Sequence, residues 1–167
     1  TPTTDYSAEE VDKLRTYLND TTTDVPITLL ATAYPSQGEL PNYAAFLEEW
    51  GVKVNTGVVS ETDTSRMAVS DSTGILVDAE SEILEDNSYN YLVSYYSAPL
   101  ELLFDANNSV VTYSLWTTAD TATVITENTT EEDVENPVTG SETVATLSSK
   151  LIQLEDGSSV SRSLCMF

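Results

Sequence analysis

The sequence contains no histidine, and one cysteine among its 167 residues. The missing imidazole removes Ser-His-Asp and Cys-His-Glu catalysis, histidine general bases and histidine-based zinc sites together. A single cysteine, Cys165, excludes an internal disulfide, and without a partner it reads as a small buried hydrophobe. Basic residues are scarce: six Lys and Arg stand against 28 Asp and Glu, a formal charge of −22. Such a field repels phosphate backbones and anionic headgroups, so charge-driven binding to nucleic acid or to a membrane surface is not expected. No apolar run reaches the roughly 18 residues of a membrane-spanning helix, so no direct insertion by this segment is expected. Neither G-x-x-x-x-G-K-[ST] nor G-x-G-x-x-G occurs, which removes the common phosphate-cradling loops. No cofactor and no metal is expected.

What is present is organised by residues 7–59. Ser7 starts a helix: its hydroxyl can accept from the N–H three residues on, and Glu10 stands there to reach back. Ala8, Val11, Leu14 and Leu18 follow on one 3.6-residue stripe, with Glu9, Asp12, Lys13 and Arg15 on the wet side. Residues 25–33 (VPITLLATA) are apolar without clean alternation, the pattern of a strand covered on both faces. After a loop at 34–40, Pro41 suits a first helical position. Tyr43, Phe46, Leu47 and Trp50 then form a wide apolar face, and Gly51 supplies the left-handed stop. Val52–Val54 and residues 58–59 read as the next strand. Helix, strand, helix, strand with short turns predicts an α/β crossover fold.

The stretch "YSAEEVDKLRTYLND…ITLLATAYPSQGELPNYAAFLEEWGVKVNTGVV" resembles the extracytoplasmic domain of the gliding-motility-type auxiliary component of uncharacterised ABC transporters. Glu9, Glu10, Leu14, Tyr17 and Leu18 carry the first part of the match. Leu40, Pro41, Asn42, Phe46, Leu47, Trp50, Gly51, Gly57, Val58 and Val59 carry the second. The resemblance implies a class I glutamine amidotransferase-like or flavodoxin-like fold. That is a three-layer α/β architecture, a mostly parallel sheet flanked by helices, here with antiparallel strands added in the C-terminal half. It also implies a location at the cell surface, tethered to the membrane through a parent chain, and permease and ATPase subunits as partners through that parent. The family has Gly-Gly where this chain has threonines at 21–23, so that connection must turn without glycine. The family also has more sheet before this point and membrane spans at its ends. Together with a final run of Cys-Met-Phe, this makes the chain look like a piece of a larger protein, one domain over 1–167.

Beyond residue 59 the chain is turn-rich and increasingly β-like. Ligands in open α/β sheets gather beyond the carboxyl ends of strands, so the loops after Ala33 and Val59 are candidate edges. Asp63 and Arg66 form a close charged pair on the second loop. Tyr89, Tyr91, Tyr95 and Tyr96 cluster as an amphipathic contact surface or as ordinary strand residues. Strands are expected at 75–77, near 98–104, at 110–116, 121–126, 142–153 and 160–167, with a hairpin at Asp156-Gly157. Residues 127–140 are acidic and hold Pro137 and Gly140, the composition of a mobile loop. Their carboxylates lack the spacing of a calcium loop.

Three functions follow as expectations. The first is a non-catalytic extracytoplasmic auxiliary domain that binds a ligand or protein partner. The second is a carboxylate-only glycan hydrolase with the tyrosines as a stacking platform. The third is a structural module for surface assembly.

Overall fold

The computed structural model describes residues 2–35, 38–79, 92–107 and 109–167. Helix α1 (Ala8–Leu18) begins as its sequence dictates. Ser7 accepts from the Glu10 N–H at 3.3 Å, and Glu10 accepts from the Ser7 N–H at 2.8 Å. Strand β1 (Ile27–Ala31) follows, then α2 (Pro41–Glu49), entered through Pro41 and left through Gly51 at φ +77°. The remaining strands are β2 (Val52–Val54), β3 (Val58–Glu61), β4 (Gly74–Ala79), β5 (Leu92–Tyr95), β6 (Leu100–Leu102), β7 (Val111–Thr117), β8 (Ala122–Ile125), β9 (Thr143–Gln153) and β10 (Ser159–Met166). A 3-10 turn occupies Thr64–Arg66. The segment expected as a loop at 127–140 contains a short helix, α3 (Glu131–Glu135). It is closed by a Thr130–Asp133 capping box.

The expected three-layer, mostly parallel sheet is not what forms. The main sheet runs β1-β10-β9-β7-β4-β5, with β6 joined to β9 and β2 joined to β6. Among the described residues one pairing is parallel, β1 with β10; the others are antiparallel. A separate ribbon pairs β3 with β8. The helix–strand–helix–strand order predicts an α/β crossover. Instead β2 leaves α2 and pairs antiparallel with β6, while the neighbour of β1 is the last strand of the chain. The fold is mostly β, mixed and helix-covered on one face. It is not a parallel platform between two helical layers.

That one covered face holds the main core. Val11 and Leu18 of α1 and Phe46, Leu47 and Trp50 around α2 pack with Leu164 and Met166 of β10. Each such side chain, taken out of water, stabilises the fold by about 1.5–3 kcal/mol. A second cluster forms where the β3–β8 ribbon meets the sheet: Val59, Ile75, Val77, Ala122 and Val144. β1 alternates half-buried and exposed residues up to Ala31, and Leu30 is 69% exposed. The expected burial of this strand on both faces is therefore corrected too.

The turn between α1 and β1 has no glycine, and polar groups hold it. Asp20 accepts from the N–H and hydroxyl of Thr22 and from the hydroxyl of Thr23. Arg162, fully buried, donates to the carbonyls of Asp20, Thr23 and Val25.

Candidate functional site

The loops after β1 and β3 line two different cavities. The first, about 190 Å³, lies between the loop after β1, α2 and β2. Its floor is apolar, from Leu40, Tyr43, Leu47, Val52 and Val54; Glu39, Glu48, Lys53 and Asn55 also line it. Tyr43 is 5% exposed and meets Tyr6 edge-on at 5.6 Å. Burial, with a smaller effect of Tyr6, pushes its phenol up to about 12, so it stays neutral at physiological pH. Lys53 binds Glu101 at 2.9 Å, and Asn55 donates to the same carboxylate oxygen at 3.3 Å. That hydrogen-bonded pairing raises the lysine and lowers the glutamate.

Tyr34 forms one wall of this cavity and packs against Tyr96 with ring centroids 5.4 Å apart. Tyr96 has φ +54°, a left-handed backbone that side-chain-bearing residues rarely adopt. The conformation is fixed by its neighbours: the Tyr96 N–H donates to Thr73 at 3.0 Å, and the Ser97 carbonyl accepts from Val59 at 2.9 Å. Strain of this kind persists where surrounding contacts over-determine it, often beside a binding surface. The volume is smaller than the roughly 300–1,000 Å³ of most small-molecule sites, and suits one inserted side chain.

The second cavity, about 750 Å³, lies between the β3–β8 ribbon and residues 129–142. Three carboxylates line it: Glu61, Asp133 and Glu142. Two of them have structural duties. Glu61, 2% exposed, accepts from the N–H groups of Thr62 and Asp63 through Oε1, while its Oε2 has no partner. Asp133 caps α3 by accepting from Thr130, which holds its carboxyl below the usual range. Glu142 is raised by burial.

The residues singled out from sequence fall in several places. Asp63 caps the 3-10 turn by accepting from the Ser65 N–H at 2.9 Å. Arg66 turns away from it to pair with Asp78 at 2.7 Å and to donate to the Leu76 carbonyl. Tyr95 is 63% exposed and donates to Asp71 at 3.2 Å. Tyr96 backs the first cavity through Tyr34. Tyr89 and Tyr91 lie outside the described residues. Cys165 is 8% exposed, and burial pushes its thiol up. Among the described residues, no group of three His, Cys, Asp or Glu side chains converges to hold a metal ion. No described helix is long and apolar enough to cross a membrane.

Sequence reasoning passed over Tyr34, Lys53, Glu61 and Glu142. Tyr34 had a usable signal, an aromatic directly after a strand on the loop expected to face a ligand. Glu61 had none, because its burial depends on the distant strand β8.

The chain is thus a mostly β domain with a mixed sheet covered by helices on one face. No family model matches it, and no curated protein matches it. Among solved structures it is similar to one described as the mmIFT52 N-terminal domain, with a TM-score of 0.59 at 14% identity. The match covers 98% of this chain and 61% of that one, so the chain spans about three-fifths of its neighbour's length. At that identity the likeness concerns the fold alone.

Proposed function

We propose that this chain is a non-catalytic binding domain that seats a side chain of a partner in the cavity walled by Tyr34 and Tyr43. The observation that carries the reading is the Tyr34–Tyr96 pair. An aromatic wall is braced by a residue held in a left-handed backbone, beside an apolar floor of the size of one side chain. Aromatic rings give large contact area at low entropic cost, which suits recognition. The setting proposed is the one the 7–59 resemblance implies, an extracytoplasmic auxiliary protein of an ABC-type transport system, membrane-tethered through its parent. The likeness to mmIFT52 adds nothing to that setting. Purified protein is expected to turn over neither ATP nor chromogenic glycosides, and protease added to intact source cells is expected to digest the parent chain. Turnover would sink the binding reading, and protection in intact cells would sink the setting.

One observation favours a carboxylate-only glycan hydrolase as the second reading. Glu142 has a raised carboxyl in a wide cavity that two other acids line, the environment of a general acid. Against it, neither Tyr95 nor Tyr96 lines that cavity. Glycoside turnover abolished by Glu142→Gln would establish this reading in place of the first.

A further inference from the structure

The two long helices cover one face of the main sheet, and the register of the strands defines what the other face carries. Side chains alternate along a strand, and directly paired residues share a face. Leu164 and Met166 point to the helices, so Cys165 and its partners point away. Leu30, Cys165, Leu147 and Tyr113 follow as one row across β1, β10, β9 and β7. The next row is Thr28, Ser163, Ser149 and Val111, and Ser161 with Leu151 lies beyond it.

In a chain with 28 acidic and six basic residues, these rows contain no charged side chain. Their three serines satisfy one another: Ser149, Ser161 and Ser163 form a triangle of hydroxyl contacts of 3.1–3.4 Å. Cys165 is buried and Leu147 half-buried, but the apolar side chains around them are left in water, Leu151 at 73%, Leu30 at 69%, Tyr113 at 39% and Val111 at 36% exposed. Four strands about 4.8 Å apart, rising about 3.3 Å per residue over six residues, make an uncharged face of roughly 400 Å², shared between these apolar side chains and Thr28, Ser149, Ser161 and Ser163. Exposed apolar side chains gathered on an uncharged face of this size are often functional.

The charge pattern around the patch selects the occupant. Exposed acids stand at the strand ends beside it: Asp24 before β1, Asp105 before β7, and Glu155 with Asp156 at the β9–β10 turn. A second copy would bring the same acidic ends and another −22 charge against them. We propose that the sheet face that no described helix covers docks a different protein, one whose contact patch is uncharged and apolar at its centre and ringed by Lys and Arg. The patch would form the dry centre of an interface of standard size, with the paired charges at its wet rim. This proposal is independent of the cavity reading and of the transport setting.

The test places a photo-crosslinking amino acid at position 30, 151 or 17 of the full-length protein in its native cells, with adducts identified by peptide sequencing. Tyr17 is 60% exposed on α1, on the helical side, and serves as the control. Positions 30 and 151 are expected to give one common adduct, mapped to an apolar patch flanked by basic residues and absent at 17. Its yield should fall at least threefold when Leu151→Asp or Tyr113→Asp is added, while circular dichroism stays unchanged. No adduct, an adduct shared with position 17, an acidic partner, or an adduct with a second copy of this chain would each overturn the proposal.

Discussion

Arg162, in the last strand, donates from Nη2 to the backbone carbonyl of Asp20 at 2.9 Å, across 142 residues of sequence. The same nitrogen reaches Thr23 at 2.9 Å, and Nη1 reaches Val25 at 3.0 Å and Ser161 at 3.3 Å. A fully buried guanidinium therefore takes the place of a glycine-made turn, gathering carbonyls that the threonine-rich connection leaves pointing inward.

Arg162→Ala should cost about 3–5 kcal/mol, because it opens a cavity and strands several buried acceptors at once. Arg162→Lys should recover little, since one ammonium cannot match a planar fork aimed in several directions. Urea unfolding midpoints measure both. A loss below about 1 kcal/mol for the alanine variant would show that the turn holds itself.

Gly51 and Gly157 both have left-handed backbones, φ +77° and +85°, in different surroundings. A Cβ at Gly51 would sit 2.5 Å from the Thr112 Oγ1 and 2.8 Å from the Phe104 ring, whereas at Gly157 nothing lies within 4 Å. Gly157→Ala should cost about 1–2 kcal/mol, the backbone strain alone. Gly51→Ala should cost at least about 2 kcal/mol more, because Thr112 must also give up its 3.1 Å hydrogen bond to the Trp50 carbonyl. Thermal denaturation of the pair separates strain from collision.

Local structure was legible at most positions where the cause was local, the Thr130–Asp133 box that opens α3 being the exception. The Ser7–Glu10 box, Pro41, Gly51 and the Asp156-Gly157 turn each act within four residues, and each lies where its chemistry put it. The strand at 110–116 alternated in sequence and forms as Val111–Thr117. The partner of a strand is a different matter. VPITLLATA looks the same whether its second face meets a helix or water, and only the rest of the chain decides. β1 lies parallel beside β10 with Leu30 exposed, and the parallel architecture fails on the antiparallel run that continues from β10 through β9, β7, β4 and β5. The site suffered likewise: Asp63 and Arg66 are three residues apart, yet Arg66 pairs with Asp78 on β4.

Stability should be nearly flat between about pH 6 and 8, because no imidazole titrates there. Below that window two groups of carboxyls act in opposite directions. Hydrogen bonds from Thr22 and Thr23 lower Asp20, and those from Thr130 lower Asp133. Their contributions are fully present above the unfolded value near 4 and are lost as pH falls through the lower folded value. Glu142 is raised by burial, so its contribution is present at low pH and lost as pH rises through its folded value. Asp20→Ala should therefore lower the melting temperature at pH 7 and by clearly less at pH 2. An equal loss at both values would mean that Asp20 acts without its charge.

Tyr96 offers the sharpest check on the first cavity. Its left-handed backbone costs about 1–2 kcal/mol for any residue with a Cβ, and its packing on Tyr34 returns about 0.5–1.5 kcal/mol. Tyr96→Gly removes both terms and should leave stability within about 1 kcal/mol of the parent. Tyr96→Val keeps the strain, aggravates it by β-branching and loses the ring, so it should fall at least about 2 kcal/mol below the glycine variant. A double-mutant cycle of Tyr34→Ala with Tyr96→Gly should return a coupling of about 0.5–1.5 kcal/mol. If the rings are uncoupled, or if valine is as stable as glycine, then Tyr96 does not brace the wall, and the binding reading loses the observation that carries it.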